Sequence, residues 1–460
     1  MKIANAVAGA LVAMLLAPPV SRADAVTDWN EIMLTTFGSQ TPPVNPFAAG
    51  RFAAITQLAV FEAVNTIEGD YKPYLSTLTA IAGASPEAAA VAAAHDVLVH
   101  YFPANTAQLD AARDASLAAI LDGPAKEDGV AVGAAAAAAL IDLRSSDGSS
   151  PARFHVPASS DPGVWQLTPG CPAAGGILFH WQDVTPFGVQ TSDQFRSPPP
   201  PPLTSARYAA DFNEVKAVGG QNSTRRPQGR ADVAQFYNLV LAVGVWNPAA
   251  RQIAIARGSS LATNARTFAL LNMAISDALV TVMETKYHRP VWRPETAIRA
   301  GDSDGNRWTS GDPAFVPFIV APCFPSYGSA HASASYAGRA VLEKIYGAGT
   351  HFIELSTPAL PNVALQYTRL EQITDDIDDA RVYGGIHFRF DQEAGACQGT
   401  QVGKYIAAHH LRRPHRHTRE DRWDREAIAW LHTVRSWLTR WDVWTNDRGG
   451  FGRHRRSSCG

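Results

Sequence analysis

Residues 324–335 read FPSYGSAHASAS, a run of small side chains around His331. The small residues allow a tight turn, and the alanine-rich sequence that follows predicts a helix from Ala332 to Tyr346. Free backbone N–H groups and the helix dipole make such a junction favourable for an anion, and Ser329 adds a hydroxyl donor. His331 would lie beside the anion, where an imidazole can transfer a proton. The alternative is a histidine that only caps the turn.

A second segment is basic and rich in proline. Residues 286–294 read KYHRPVWRP. A helix is expected to end at Lys286, because the two prolines force an extended continuation. Lys286 supplies a compact charge and Arg293 a planar fork, two complementary ways of holding a phosphate-like group. The alternative is ordinary surface charge.

A third segment combines an arginine, a histidine and a carboxylate. Residues 380–391 read ARVYGGIHFRFD. If the chain is helical after Gly385, the four-residue spacing places Asp391 one turn along from His387, where its carboxylate can fix the imidazole tautomer. Arg381 adds a further cation. The alternative is an ion pair on a solvated helix.

Helical periodicity dominates the remainder, so the fold class is predicted as all-α: helical bundles with a four-helix-type core holding the anion site, joined by long irregular loops. We expect an N-terminal helical region at residues 26–148, a Pro/Gly-rich excursion at 149–205 that could be a lid or a dimer arm, and a helical core at 206–412. No alternating strand pattern is evident. The predicted helices are Phe47 to Ile67, Ala88 to Tyr101, Leu109 to Leu121, Val130 to Leu143, Ala231 to Val245, Pro248 to Arg257, Leu261 to Met283, Ala332 to Tyr346 and Asn362 to Val382.

Composition and the N-terminus limit the class of protein. The 460 residues are 46% hydrophobic with a formal charge of -2, which gives no electrostatic case for binding nucleic acid. Residues 1–25 combine Lys2, an apolar run and a small-residue cleavage pattern, and so predict a signal peptide and a secreted or periplasmic protein beginning near Val26. No later segment is expected to be a transmembrane segment. Export permits disulfides, and we favour a Cys323–Cys397 pair because both residues lie near the motifs.

The last segment, residues 413–460, differs in character from the rest. It is basic and rich in tryptophan, with apolar residues at helical spacing that could form a basic helix for a membrane surface. An unselected reading frame explains the abrupt change equally well, and we favour a nonfunctional tail.

In this order the three segments resemble the signature motifs of the vanadium haloperoxidase and type-2 phosphatidic acid phosphatase superfamily, in its secreted bacterial haloperoxidase-like branch. They match the patterns Lys-x6-Arg-Pro, Pro-Ser-x-x-Ser-x-His and Ala-Arg-x5-His-x3-Asp. The resemblance covers about residues 26 to 412. One departure is Ala330, where relatives usually have glycine; a positive φ there would strain the turn. Phe324 stands where chloride-oxidising members carry phenylalanine.

The resemblance implies a site that holds vanadate, with phosphate as a substrate or competitor. Lys286, Arg293, Ser329, Arg381 and the backbone amide of Ala330 would bind the oxyanion, and His387 would be the only protein ligand to the metal. His331, His387 and Asp391 are the implied catalytic residues.

Three functions remain open. The first is a vanadium-dependent haloperoxidase that oxidises halide to hypohalous acid with hydrogen peroxide, in which His331 assists by proton transfer. The second is an exported acid phosphatase in which His387 attacks a phosphate ester to give a phosphohistidine. The third is a non-catalytic exported anion-binding protein. A homodimer is possible in each case.

Overall fold

The structure is a computed structural model that describes residues 24–240 and 242–414. The predicted leader, apart from Asp24 and Ala25, and the predicted tail from residue 415 onward lie outside these residues. The described chain is mostly helical, so the prediction of an all-α protein is confirmed. Its α-helices are α1 Ala25–Gly38, α2 Pro46–Glu68, α3 Pro86–Tyr101, α4 Thr106–Ala118, α5 Pro124–Leu143, α6 Ala206–Val218, α7 Arg230–Leu239, α8 Ala242–Arg257, α9 Leu261–His288, α10 Pro294–Arg299, α11 Ala330–Tyr346, α12 Leu370–Tyr383 and α13 Arg389–His409.

The central helix is α9, which packs against α2, α11 and α13. The Ser260 side chain caps its first turn by accepting a hydrogen bond from the Thr263 amide at 3.3 Å. Side chains around the whole circumference of α9 are buried from Thr267 to Tyr287, as expected for a helix enclosed by others. Lys286 is carried at the end of this buried helix, and the charge is therefore held inside the protein.

Helices α11 and α13 approach each other unusually closely because small residues line their contact. Gly395, Gly399 and Gly403 lie four residues apart on α13, and a Cβ atom on Gly399 would lie 2.0 Å from the Ser333 carbonyl oxygen. A Cβ atom on Gly395 would lie 2.4 Å from the Ser329 carbonyl oxygen. The backbone that follows His387 is thus fixed against the backbone that carries Ser329.

Residues 149–205 form the irregular excursion that the composition predicts. In this range the structure has one 3₁₀ helix, Phe179–Asp183, and the chain is otherwise without regular elements. The excursion is fastened to the core by a disulfide between Cys171 and Cys323, whose Cα atoms are 5.4 Å apart. The predicted Cys323–Cys397 pair is therefore wrong, because closeness to a motif in sequence does not determine which sulfur atoms meet.

Several predicted helices have different boundaries, and two of the differences change the local structure. The predicted helix from Asn362 begins instead with a strand, Ala364–Tyr367, which pairs in antiparallel fashion with Ile353–Ser356 and brings Ile353 opposite Tyr367. The partner strand lies several residues earlier in the chain. The helical periodicity of the segment that follows the second strand hides this pairing in the sequence.

The chain break predicted between Val245 and Pro248 also lies elsewhere. Helix α7 ends at Leu239, and α8 continues through Pro248. The Asn247 side chain is fully buried and donates 2.9 Å hydrogen bonds to the Val243 carbonyl and to Asn272. These tertiary contacts stabilise the turn of α8 around Pro248, which the proline would otherwise weaken.

Two helices, Pro46–Glu68 and Leu261–His288, are long and apolar enough to cross a membrane by length and composition. The expectation that no later segment has this property is therefore wrong. Their apolar windows are 89% and 100% buried within the protein. In this fold the apolar side chains of both helices pack against other parts of the protein.

Candidate oxyanion site

The three sequence segments meet at one place in the fold. Lys286 lies in the last turn of α9, Arg293 precedes α10, and Ser329 precedes α11. Arg381 belongs to the last turn of α12, and His387 lies in the short link between α12 and α13. The charges of Arg293 and Arg381 both act on Lys286, which shows that residues far apart in sequence share one electrostatic environment.

Lys286 and Arg293 are fully buried and are held by backbone carbonyl groups. Lys286 Nζ donates to the Pro325 and Ser326 carbonyl oxygens, both at 2.9 Å. Arg293 Nε donates to the Phe324 carbonyl and Nη1 to that of Ile386, also at 2.9 Å. Arg293 Nη2 has no hydrogen-bond partner. Buried donors without partners are rare in folded proteins, so this nitrogen marks a position for an acceptor.

Arg381 repeats this pattern. Its Nη1 donates to the Tyr237 carbonyl at 3.2 Å, while its buried Nε has no partner. Burial lowers the pKa of Arg381 to about 10 and that of Arg293 to about 9. Burial also lowers the pKa of Lys286 well below its ordinary value, and the charge of Arg293 acts in the same direction. Such shifts mean that the cations lack sufficient compensating negative charge.

The carboxylate that acts on these cations is Asp391. Its Oδ2 accepts hydrogen bonds from Ser326 Oγ at 2.6 Å, from the Phe388 amide at 3.1 Å and from His387 Nδ1 at 3.0 Å. Burial raises the pKa of Asp391 to about 6, although Ser326 and Lys286 oppose the shift. Three cations with one carboxylate leave an excess of positive charge, which an anion would neutralise.

His387 is oriented by this carboxylate. Because Nδ1 is bonded to Asp391, Nε2 carries the lone pair and faces Arg293 Nη1 at 3.1 Å. Burial and then the charge of Arg293 lower the pKa of His387 well below its ordinary value, so the ring is neutral at neutral pH. The Nε2 lone pair accepts this hydrogen bond from Arg293. Once the bond is displaced, Nε2 of a neutral imidazole can act as a ligand or as a nucleophile.

The predicted geometry of this pair is wrong in one respect. His387 and Asp391 do not lie on one helical face, because α13 begins only at Arg389. Asp391 is the third residue of the helix and caps it by accepting from the Phe388 amide, while the same oxygen accepts from His387. Thus the helix cap and the orientation of the histidine depend on one oxygen atom.

The turn at Ser329 is unstrained. Ser329 is the N-cap of α11, and its hydroxyl accepts from the Ala332 amide at 3.3 Å. Ala330 is the first helical residue and is absent from the positive-φ residues of the described chain. The strain that a positive φ would have introduced does not arise, because a helical residue tolerates a methyl group.

His331 follows on the first turn of α11 and borders a cavity of about 270 Å³. The residue is half-buried. Burial and then the charge of Arg381 lower the pKa of His331 well below its ordinary value. His387, Arg381 and Phe324 border the same cavity. The Phe324 ring centroid lies 5.2 Å from Lys286 Nζ and 5.0 Å from Arg293 Cζ, within cation–π range.

Two features of the site were not predicted. Ser326 belongs to the quoted motif but was given no role, although its hydroxyl contacts Asp391 and lies 3.4 Å from His387 Nδ1. The Tyr237 carbonyl, which holds Arg381, comes from α7, where no charged or repeated residue signals it.

A family model matches the part of the chain that carries this site. Residues 266–416 match the family described as the VCPO second helical-bundle domain. No curated protein matches the chain by sequence. The resemblance to the vanadium haloperoxidase superfamily, predicted from the motifs, is confirmed.

Solved structures share the fold over most of the chain. A bacterial vanadium-dependent iodoperoxidase has a TM-score of 0.70 at 24% identity, covering 85% of this chain and 97% of its own. Bacterial vanadium-dependent chloroperoxidase in its apo form has a TM-score of 0.64 at 16% identity, covering 79% and 94%. The holo form has a TM-score of 0.60 at 16% identity, covering 85% and 94%. The chain therefore has the fold of the bacterial vanadium haloperoxidases.

Proposed function

We propose that the protein is a vanadium-dependent haloperoxidase, which oxidises halide to hypohalous acid with hydrogen peroxide. The observation that carries the proposal is the excess of buried positive charge beside His387, with two guanidinium N–H groups, Arg293 Nη2 and Arg381 Nε, that have no partner. Such donors fit an oxyanion. Among the described residues no cluster of three or more His, Cys, Asp or Glu could hold a metal ion.

Vanadate fits the residues present. Lys286, Arg293 and Arg381 would hold its oxygens, Ser329 and the Ala330 amide would add donors, and His387 Nε2 would be the protein ligand to the metal. When bound, vanadate supplies the Lewis acidity that activates hydrogen peroxide toward halide.

The chain's own residues prepare this chemistry. Asp391 keeps the proton of His387 on Nδ1, so Nε2 stays available. His331 is neutral at neutral pH because its pKa is lowered, and from the edge of the cavity it can accept a proton from incoming peroxide. The Phe324 ring covers Lys286 and Arg293 and keeps water from their charges.

The test compares His387→Ala with His100→Ala, an exposed histidine on α3. Wild-type protein with orthovanadate and peroxide is expected to form triiodide from iodide, His100→Ala to match it, and His387→Ala to lose at least 100-fold. Binding of orthovanadate should raise the midpoint temperature of thermal unfolding of the wild type. An absence of iodide oxidation in vanadate-loaded wild type would contradict the proposal.

The phosphatase hypothesis stays as an alternative because the same donors fit a phosphate ester, and His387 Nε2 could attack phosphorus once its hydrogen bond from Arg293 is displaced. Hydrolysis of p-nitrophenyl phosphate in vanadate-free buffer, with trapping of a phosphohistidine, would support it. The non-catalytic hypothesis predicts anion binding with neither activity.

We also propose export to the periplasm or the medium, supported by the leader pattern of residues 1–25. Asp24 bears on where cleavage occurs. Its carboxylate caps α1 by accepting from the Thr27 amide at 2.9 Å and also accepts from Asn264 Nδ2 at 2.8 Å. Retention of this cap favours cleavage after Ala23, two residues before the predicted boundary. Mass spectrometry of the exported chain should find Asp24 at its N-terminus, and a start at Val26 would contradict this.

A further inference from the structure

The cavity beside His331 is bordered mostly by apolar side chains. Its volume of about 270 Å³ is near the lower end of small-molecule sites, roughly 300–1,000 Å³. Vanadate held by His387 and Arg381 would lie at the polar end of this space, away from the apolar side chains. Hydrogen peroxide and halide ions are small and hydrophilic and do not require an apolar wall. The cavity is therefore larger and more hydrophobic than halide oxidation alone requires.

The wall is assembled from several separate elements. Its buried side chains include Phe47 from α2, Leu178 from the excursion, Val243 from α8, and Ile275 and Leu279 from α9. All five are apolar and at most 8% exposed. A charged group held against this wall would lose its hydration without gaining a partner, which is costly.

Polarity changes along the cavity. Its inner end holds His331, His387 and Arg381, whereas the exposed side chains Asn45 and Asn238 stand at its rim. A ligand that fits this arrangement is uncharged and apolar along its length, with room for a polar group at either end.

Leu178 supports a functional role for the wall. It is one of two non-glycine residues with positive φ in the described chain, at 62°. Leucine rarely adopts this conformation, which persists where surrounding structure enforces it. The neighbouring Ile177 amide donates to the Cys323 carbonyl at 2.9 Å, and Cys323 is bonded to Cys171. The fold thus holds Leu178 against the cavity despite an unfavourable backbone conformation.

We propose that this cavity binds the organic acceptor of the oxidised halogen, a small, uncharged, largely apolar molecule such as an alkylated phenol. The inference rests on the proposed haloperoxidase function and deepens it. Hypohalous acid formed at the inner end transfers its halogen to a ring carbon of the bound acceptor: a carbon–halogen bond forms, the carbon–hydrogen bond breaks, and the proton combines with the released hydroxide as water. The carbon is oxidised and the halogen reduced, so no further reactant is needed.

The test uses two acceptors of similar ring reactivity, 4-propylphenol and 3-(4-hydroxyphenyl)propionate, which differ by a carboxylate. Both are mixed in equal amounts with enzyme, vanadate, peroxide and bromide, and the ratio of brominated products is compared with the ratio given by added hypobromous acid. The wild type is expected to favour 4-propylphenol at least 10-fold more than the free reagent does. A ratio equal to that of the free reagent overturns the proposal, because the acceptor would then react in solution.

Variants locate the selectivity in the cavity. Ala242→Trp places a ring at the half-buried edge of the wall, and Asn238→Trp places one at the exposed rim. Each is expected to shift the ratio toward that of the free reagent, whereas Ala256→Trp, on the exposed face of the same helix as Ala242, should leave it unchanged. If Ala242→Trp does not fold, Asn238→Trp carries the test. An unchanged ratio in the folded cavity variants overturns the proposal.

A binding measurement separates this proposal from the proposed function. Equilibrium dialysis of 4-propylphenol against wild type and Asn238→Trp reports the cavity without any turnover. One possible result is that 4-propylphenol binds, that Asn238→Trp weakens this binding at least 5-fold, and that halide oxidation is absent. This result refutes the haloperoxidase function and leaves a cavity for an apolar ligand. Halide oxidation without binding of 4-propylphenol refutes the acceptor site alone.

Discussion

Replacing Asp391 by asparagine is expected to lower turnover 10- to 100-fold while the chain still folds. All three donors, Ser326 Oγ, the Phe388 amide and His387 Nδ1, bond to Oδ2, and the buried Oδ1 has no partner. An asparagine can therefore place its oxygen at the Oδ2 position and keep these contacts. What it loses is the charge. Changes to residues that orient a metal-bound histidine typically cost about 10- to 100-fold in metal affinity or activity.

The stability cost follows from the same three hydrogen bonds. Hydrogen bonds to a charged group contribute about 1.5–3 kcal/mol and neutral ones about 1, so Asp391→Asn weakens these bonds. The raised pKa of Asp391 shows that its charge also carries a burial cost in the folded chain, which asparagine removes. Because the two effects oppose each other, the free energy of unfolding should change by no more than about 2 kcal/mol. Asp391→Ala leaves all three donors unpaired, at about 1–3 kcal/mol each, and adds a cavity, so it should cost more.

The assay is iodide oxidation at saturating orthovanadate, with urea unfolding in parallel. Both belong at pH 8, above the Asp391 pKa of about 6, so that the wild-type carboxylate is ionised. Turnover of Asp391→Asn within twofold of the wild type would refute the claim that this carboxylate orients His387. Equal stability of the asparagine and alanine variants would refute the hydrogen-bond argument.

Other predictions concern pH, packing and the disulfide. Because the pKa of His331 is lowered in the folded chain, the unfolded chain takes up a proton first as the pH falls. The free energy of unfolding of the wild type, relative to that of His331→Gln, should therefore decrease below pH ~6.5, by at most about 1.4 kcal/mol per pH unit. Parallel curves of stability against pH for the two proteins would contradict this. Gly399→Ala should destabilise by about 1–3 kcal/mol in urea, because the methyl group meets a carbonyl oxygen at 2.0 Å. Gly38→Ala, with open space around it, should change stability by less than about 0.5 kcal/mol, and equal losses would disprove the packing argument. Cys171→Ser removes a disulfide between positions 152 residues apart and should lower the free energy of unfolding by about 2–5 kcal/mol. An unchanged unfolding midpoint would rule out a stabilising role for the disulfide.

Much of the charged part of the site could be predicted from sequence because its residues lie in short segments whose local patterns carry the information. Prolines after Lys286, small residues before His331 and the spacing of His387 from Asp391 are all visible within about a dozen positions. The structure brings these side chains together, although their chemical roles remain predictions.

The rest depends on contacts between distant segments. The cavity wall joins Phe47, Leu178 and Ile275 from three elements, and each residue alone reads as ordinary core. The partner of Cys323 is 152 residues away, a distance at which spacing has no predictive value. His387 lies before α13 and not within it, because Asp391 caps the start of the helix. The sequence pattern does not show whether this cap forms or whether the helix extends back to include His387.

The surplus of buried positive charge has a consequence for the surroundings in which the protein works. Lys286, Arg293 and Arg381 respond to charge and to tetrahedral shape, and neither property separates vanadate from phosphate. In the proposed haloperoxidase, the occupant would then depend on the relative abundance of the two ions in the medium and on the bond that His387 would form to vanadium. We expect phosphate-rich conditions to keep the protein oxidatively idle, and phosphate scarcity to release its activity without any change in the protein itself.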